Sequence, residues 1–450
     1  MSNTLASRRA AFAAGAALFS AAPAAAQQAA PAAGRDAPNG GGAGRRANGN
    51  GDLVHGFSRE RLARFGPAFA REAERGSFPG CVALVARGGQ IVHHEAYGHQ
   101  DAAKTKKMGR DAIFLMASMT KPVTSVAAMM LVEEGRMKLS DPIANWMPEL
   151  RDLKAERRRE GQDAELVALD RPVTVQDLLR HTSGFVYAES APSQRIKEAY
   201  EQGNIEARTG PITGDEMLKR LGEIPLAHQP GSTFHYSIST DVLGLLVERV
   251  AGQRLDRFYA ERVFGPLGMR DTAWYVEAAK RSRVAEAPDG DPRKADMWRS
   301  YRITEDDSGR SYFKGGAGLV STSADYFRFA QMLGNGGSFE GKRYLAAPVV
   351  RYMMSDHIQG MAGSPTASTG PGYGFGLGFG VRRQDGLANA PGSTGDAMWA
   401  GAWGTFFTVD PAEQLVAILM TQGPSSRIHT RTLFKNLVYG AMVESARGSG

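Results

Sequence analysis

A single cysteine, Cys81, in 450 residues excludes an intrachain disulfide. The stretch Pro79-Gly80-Cys81-Val82-Ala83-Leu84-Val85 reads as a buried strand, with Cys81 as a small core side chain. The nine histidines form no H-E-x-x-H pair. His93 and His94 would point to opposite faces of a strand, so no metal site is expected. No G-x-x-x-x-G-K-[ST] loop is present to cradle a phosphate, and no cofactor is expected. Gly374, Gly376, Gly378 and Gly380 alternate with Phe375, Leu377 and Phe379, which predicts a close-packed strand over Tyr373 to Arg382. The net charge of +7 is modest, and several cations lie near the amino terminus or in the run Lys154 to Arg159, read as a solvated face or an insertion loop. Without an interleaved basic and aromatic patch, no nucleic-acid partner is expected. No apolar stretch reaches the ~20 residues of a stable membrane span.

The amino-terminal residues speak to location. Arg8-Arg9 precede the alanine-rich stretch Ala10 to Ala22, followed by Pro23 and the small-residue step Ala24-Ala25-Ala26. Residues 1–26 are therefore expected to be an export signal, with the protein periplasmic or secreted. Ser7-Arg8-Arg9 with Phe12 fits a twin-arginine route, and an ordinary secretion signal fits as well. Residues 27–56 are rich in Ala, Gly, Pro and Asn and read as a disordered linker. The folded domain is expected over 57–445.

Periodicity predicts an α+β fold. A helix is expected near Ser58 to Glu74, then a hairpin of Cys81 to Arg87 and Gln90 to Tyr97 turned by Gly88-Gly89. Strands return at Gly404 to Val409 and Leu415 to Thr421, and a last amphipathic helix is expected over Arg427 to Glu444. Strands at both ends with helices between them imply an antiparallel sheet flanked by helices. A mostly helical subdomain would be inserted at about 141–322, with the site in the cleft between the two.

The chemistry centres on Ser118-Met119-Thr120-Lys121. A serine hydroxyl needs a neighbouring base to act as a nucleophile. Three positions on, along one helix face, Lys121 can reach it. Val123, Val126, Ala127, Met130 and Leu131 continue a helical stripe, and Gly135 reads as its stop. Pro122 is tolerated because first-turn N–H groups have no intrahelical partner. Tyr236 is the second candidate: beside an ammonium, a phenol can take the serine proton and return it to a leaving group. Thr174 and Asp177 read as a capping box before the turn His181-Thr182-Ser183-Gly184. His235 reads as structural.

Five stretches in order resemble the serine beta-lactamase-like hydrolases, the family of class C beta-lactamases, D-peptidases and related esterases. They are Phe114 to Lys121, Leu178 to Phe185, Pro230 to Ser237, Phe264 to Met269 and Gly316 to Thr322. The resemblance spans about Phe57 to Glu444. It implies a beta-lactamase/transpeptidase-like fold, with Ser118, Lys121 and Tyr236 catalytic. By position it also implies an oxyanion hole made of the Ser118 and Ala402 N–H groups, the latter beside a third motif on an edge strand. Two positions depart from the family pattern. Ile238 stands where an amide-binding Asn is usual, and Trp399-Ala400-Gly401 stands in place of Lys-Thr-Gly. Trp399, Gly401 and Ile238 are the expected substrate-binding residues, and both changes make the pocket less polar and less cationic. Trp403 reads equally well as a core residue or a pocket residue. This combination implies the esterase branch: a serine carboxylesterase acting on a small ester through an acyl-serine. The alternatives are beta-lactam or D-amino-acid amide hydrolysis, transesterification, or a catalytically silent cell-envelope binding protein.

Overall fold

A computed structural model describes residues 52–157, 164–295 and 312–448. The expected export signal, most of the linker and the end of the cation run at 158–159 lie outside the described residues. The linker boundary needs correction. Leu53–Val54 pairs with Phe57–Ser58, and the Gly56 carbonyl accepts the N–H groups of Val443 and Glu444. Ordered structure therefore begins ahead of residue 57, because the fully buried Phe57 draws its neighbours onto the carboxyl-terminal segment.

Seven antiparallel strands form the main sheet. In chain order they are β1 (Gly80–Arg87), β2 (Gln90–Gly98), β3 (Tyr373–Phe375), β4 (Gly380–Arg382), β5 (Ala397–Ala400), β6 (Phe406–Asp410) and β7 (Leu415–Thr421). Their spatial order is β3-β4-β5-β6-β7-β1-β2, so strands from both ends of the domain meet where β7 pairs with β1. Residues along β1 divide between two cores, which is why its sequence is apolar throughout. Cys81, Ala83 and Val85 face helices α1 (Phe65–Glu74) and α5 (Arg427–Ala441), through Phe65, Phe69, Phe434 and Val438. Val82, Leu84 and Ala86 join the larger core on the opposite face.

The segment 373–382 is not one strand. It folds as two strands in register from Tyr373↔Arg382 to Phe375↔Gly380, reversing through residues 376–379. Gly378 has φ +104°, and a Cβ there would lie 2.2 Å from Ser125 Oγ. The glycine repeat thus serves a reversal pressed against a helix, where an alternating face was expected. The first helix is also split, into Arg59–Leu62 capped by Ser58 and then α1.

Helix α2 (Thr120–Glu133) is buried on every side, not along one stripe: Lys121, Thr124 and Ser125 are as enclosed as Val123 and Val126. It packs against α3 (Ser239–Ala251). Helix α4 (Ser323–Gly334) covers the sheet on the same side. The helical insertion is closed at its base, where Phe114–Leu115 pairs with Val320–Ser321 just before the nucleophile segment. A buried cluster fixes the sheet to α5. Asp396 accepts from Arg382 Nε at 2.8 Å, Lys435 Nζ at 3.1 Å and Tyr373 Oη at 2.9 Å.

Candidate active site

Ser118 sits in a single 3-10 turn, Ala117–Met119, that links the short strand Phe114–Leu115 to α2. Ala117 carries a left-handed φ of +45°, an uncommon conformation for a residue with a Cβ. The sharp reversal leaves Ser118 half-exposed while its neighbours are buried. The Tyr326 hydroxyl donates to the Met119 carbonyl at 2.9 Å, and the Leu319 N–H donates to Thr120 Oγ1 at 3.3 Å. The nucleophile turn is thereby clamped from α4 and from the end of the insertion.

Lys121 is fully buried. Its ammonium donates to Ser118 Oγ at 3.3 Å, Tyr187 Oη at 3.0 Å and the Gly316 carbonyl at 2.8 Å, one acceptor for each N–H. It also lies 4.8 Å from the Tyr236 ring centroid. Tyr236 is wedged between His181, Tyr187 and Trp399, with ring centroids 4.7, 5.7 and 5.4 Å away. Its buried hydroxyl has no hydrogen-bond partner among the described residues. Burial first, and then the Lys121 charge, hold the His181 imidazole well below its ordinary range, so it is a neutral buttress. Its Nδ1 lies 3.2 Å from Ser237 Oγ, next to the tyrosine.

A cavity of about 580 Å³ opens over this group. Ser118, Tyr236, Ile238, Ala402 and Trp403 line it, with a charged side formed by Glu206, Arg208 and Lys314 among others. Arg208 is paired with Glu206 at 2.5 Å. Of the expected substrate contacts, Ile238 is in the wall. Trp399 and Gly401 are not: they stand behind it, Trp399 against Tyr236 and Phe375, while Trp403 and Ala402 face the space. The reason is the course of the third motif. β5 lies within the sheet, but β4 pairs only with Ala397 and Met398, so from Trp399 onward the strand keeps β6 as its neighbour and leaves its other edge unpaired by β4. Gly401 packs so closely that a Cβ would lie 2.2 Å from Thr405 Oγ1 and 2.3 Å from the Met116 carbonyl. The Ala402 N–H donates to nothing among the described residues, as an oxyanion donor beside Ser118 requires.

Three residues of the site were not anticipated. Tyr187 reaches Lys121 from a loop with no periodic relation to it. Asp241 lies five residues after Tyr236, on the first turn of α3, and accepts the Gly316 N–H at 3.2 Å. The carbonyl of the same residue accepts from Lys121, so Asp241 anchors the glycine that holds the lysine. Burial raises the Asp241 carboxyl above its ordinary range, against the opposing pull of Lys121 and Lys314. Arg431, on α5, donates to the Gly401 carbonyl. Among the described residues no group of three His, Cys, Asp or Glu is placed to hold a metal. No described helix is long and apolar enough to cross a membrane.

Comparison with known proteins agrees with this geometry. The Beta-lactamase family model matches residues 65–436. Esterase EstB of Burkholderia gladioli is 31% identical over 378 residues, covering 80% of this chain and 90% of its own. Protein Rv1367c of Mycobacterium tuberculosis is 35% identical over 358 residues, covering 78% of this chain and 87% of its own. Among solved structures, EstCE1, described as a hydrolase with promiscuous acyltransferase activity, superposes with a TM-score of 0.70 at 26% identity, covering 86% of this chain and 99% of its own. With the family pattern matched along most of its length and the serine, lysine and tyrosine gathered at one cavity, the chain belongs to the beta-lactamase family of serine hydrolases, in the branch that contains esterases.

Proposed function

We propose that the protein cleaves carboxylic esters with small, mainly apolar acyl groups through a covalent acyl-Ser118 intermediate. The observation that carries this reading is the bridge from Lys121 Nζ to Ser118 Oγ at 3.3 Å, at the floor of a cavity that Tyr236 also lines. Lys121 has all three N–H groups engaged as donors, so it orients the serine oxygen and cannot itself accept its proton in this state. Tyr236, with an unpartnered oxygen, is the acceptor in its phenolate form, paired with the Lys121 ammonium, and becomes a neutral phenol when it takes the Ser118 proton. As the Ser118 oxygen bonds to the ester carbon, its proton passes to Tyr236, and the carbonyl oxygen becomes an oxyanion facing the Ser118 and Ala402 N–H groups. Tyr236 then returns the proton to the departing alcohol. Water repeats the cycle on the acyl-enzyme.

Ile238 and Trp403 give the cavity wall apolar surface and no amide to receive a beta-lactam side chain. EstB, an esterase by name, supports ester over lactam. The cavity volume also leaves room for an alcohol beside the acyl group, which favours acyl transfer as a second reading. Residues 1–26 support an exported enzyme.

The test measures p-nitrophenyl acetate, p-nitrophenyl butyrate and nitrocefin on one preparation, with mass mapping of the acylated peptide. Ester turnover with label on Ser118 and negligible nitrocefin opening is expected. Added methanol should partition the acyl-enzyme toward methyl ester if transfer occurs. Nitrocefin turnover matching the esters, or an unlabelled Ser118, would refute the reading.

A further inference from the structure

The third motif of this chain, Trp399-Ala400-Gly401, carries no cation. A cation approaches the same strand from behind. Arg431 is buried, 8% exposed, on the first half of α5. A buried guanidinium ordinarily sits against a carboxylate. Arg431 has none: it makes no ion pair among the described residues, and it donates a hydrogen bond to the neutral Gly401 carbonyl. Its Nε is enclosed with no partner.

Three side chains around this strand carry unpartnered atoms. Arg431 Nε, the Tyr236 hydroxyl and Trp399 Nε1 are all buried and unsatisfied. Trp399 stacks on Tyr236, and Arg431 holds the carbonyl two residues beyond Trp399. A buried cation and a buried phenol left unpartnered along one strand are costly unless they serve a charged state of the site, and the phenolate that accepts the Ser118 proton is such a state.

We propose that Arg431 is a positioning residue that supplies the missing third-motif cation: it balances the negative charge carried by the Tyr236 oxygen when that oxygen serves as the base toward Ser118, and it holds the Ala402 donor in place through the Gly401 carbonyl. The proposal rests on the acyl-Ser118 reading above. Two through-space effects support it. Burial lowers the Arg431 guanidinium to about 9, still cationic at neutral pH. Among the groups that act on it, Arg427 opposes its charge and the ionised Tyr236 favours it. Tyr236 faces Lys121 from α2, His181 and Tyr187 from the loops before α3, and Trp399 from β5. Of these, Lys121 is the other cation and His181 is neutral. With Arg431 in place two positive charges act on the anionic oxygen. The proton balance is unchanged: Ser118 gives its proton to Tyr236, and Tyr236 gives it to the leaving alcohol.

The experiment compares Arg431→Met and Arg431→Lys with the unaltered protein in kcat/KM for p-nitrophenyl butyrate across pH 5–10. It also measures the rate at which a fluorophosphonate labels Ser118, with and without Tyr236→Phe. Arg431→Met should move the acid limb upward by at least ~1 pH unit, a tenfold loss at fixed pH below the limb that is largely recovered above it. Arg431→Lys should keep the limb near its original place. In the Tyr236→Phe background the Met substitution should slow labelling far less than in the unaltered protein, because the charge it serves is gone. A uniform loss across pH, with equal effects in both backgrounds, assigns Arg431 a purely structural role and overturns the proposal. If Arg431→Met does not fold, an Arg431→Lys limb displaced like that of a neutral side chain overturns it equally. Failure of the unaltered protein to label Ser118 would instead sink the acyl-enzyme reading, so the two failures are distinguishable.

Discussion

Replacing Gly401 by alanine adds one methyl group at the most crowded point between the third motif and the nucleophile. The new Cβ would lie 2.2 Å from Thr405 Oγ1 and 2.3 Å from the Met116 carbonyl, whereas ordinary contact begins at 3.4 Å. Thr405 Oγ1 already bonds that carbonyl at 3.3 Å, so the hydroxyl cannot simply rotate away without losing its partner. Met116 is backbone, two residues before Ser118, and its N–H is tied to the Leu319 carbonyl at 2.9 Å. The strand must therefore retreat by about 1 Å, carrying Ala402 with it, and a displacement of that size at reacting groups costs on the order of 10²-fold. Loss of one oxyanion donor falls in the same range, about 10²–10³. Overpacking should lower stability by only about 1–3 kcal/mol, so the variant should still fold. The assay is single-turnover acylation of Ser118 by p-nitrophenyl acetate, alongside thermal melting. The expected result is acylation slowed at least a hundredfold, with a cooperative melt retained. Acylation within about threefold of the unaltered rate would show that the Ala402 donor does not contribute, because no rearrangement can absorb two such contacts and leave it in place.

Three further outcomes follow from the structure. Tyr187→Phe removes one of the three acceptors of Lys121 and should lower kcat/KM by about tenfold with KM little changed, as read from steady-state ester hydrolysis. Asp396→Asn leaves Arg382 and Lys435 buried beside a neutral group and should destabilise the fold by about 3–5 kcal/mol in denaturant melts, with no selective effect on the chemistry of the refolded enzyme. Burial lowers the imidazoles of His93 and His228 to about 4, and that of His181 well below its ordinary range. The folded protein thus binds fewer protons than the unfolded chain, whose histidines titrate near ~6.5. Stability should be full above that value and fall as pH drops toward 4, with His228→Gln reducing the slope measured by chemical denaturation.

The chemical steps of the sequence were legible where local geometry decides them. A serine and a lysine three residues apart at a helix start must lie on one side of the turn, and the structure places them 3.3 Å apart. The capping box of Thr174 and Asp177 depends on four consecutive residues and is formed as read. Patterns that depend on distant packing were less legible. The glycine alternation before Arg382 has the period of a strand, but Gly376 and Gly378 are small because Met353 and Ser125 press against them, and neither neighbour is deducible from the pattern. The stripe on α2 understated its burial, because polar residues such as Thr124 are enclosed when the Gly315 carbonyl and the Tyr259 hydroxyl supply partners from 191 and 135 residues away.

Trp399 illustrates the same limit at the site itself. Its identity says that the side chain brings no charge to this strand, since indole carries none. It could not announce that the side chain would lie behind the cavity, against Tyr236, or that Ala402 and Trp403 would face the substrate in its stead. Which residues face the cleft depends on where β4 stops pairing with β5, and that depends on the short reversal before Gly380. Nor could residue 399 reveal that a buried arginine 32 positions onward reaches the same strand. Arg431 lies on a helix that buries Phe434, Val438 and Ala441 together with Thr430 and Lys435, and unlike Lys435 it has no carboxylate partner among the described residues. A cation at such a position has a cost that packing alone does not offset. The economical account is electrostatic: a strand that carries no cation of its own has one behind it, bonded to the Gly401 carbonyl, and the anion it answers is the Tyr236 phenolate that takes the Ser118 proton.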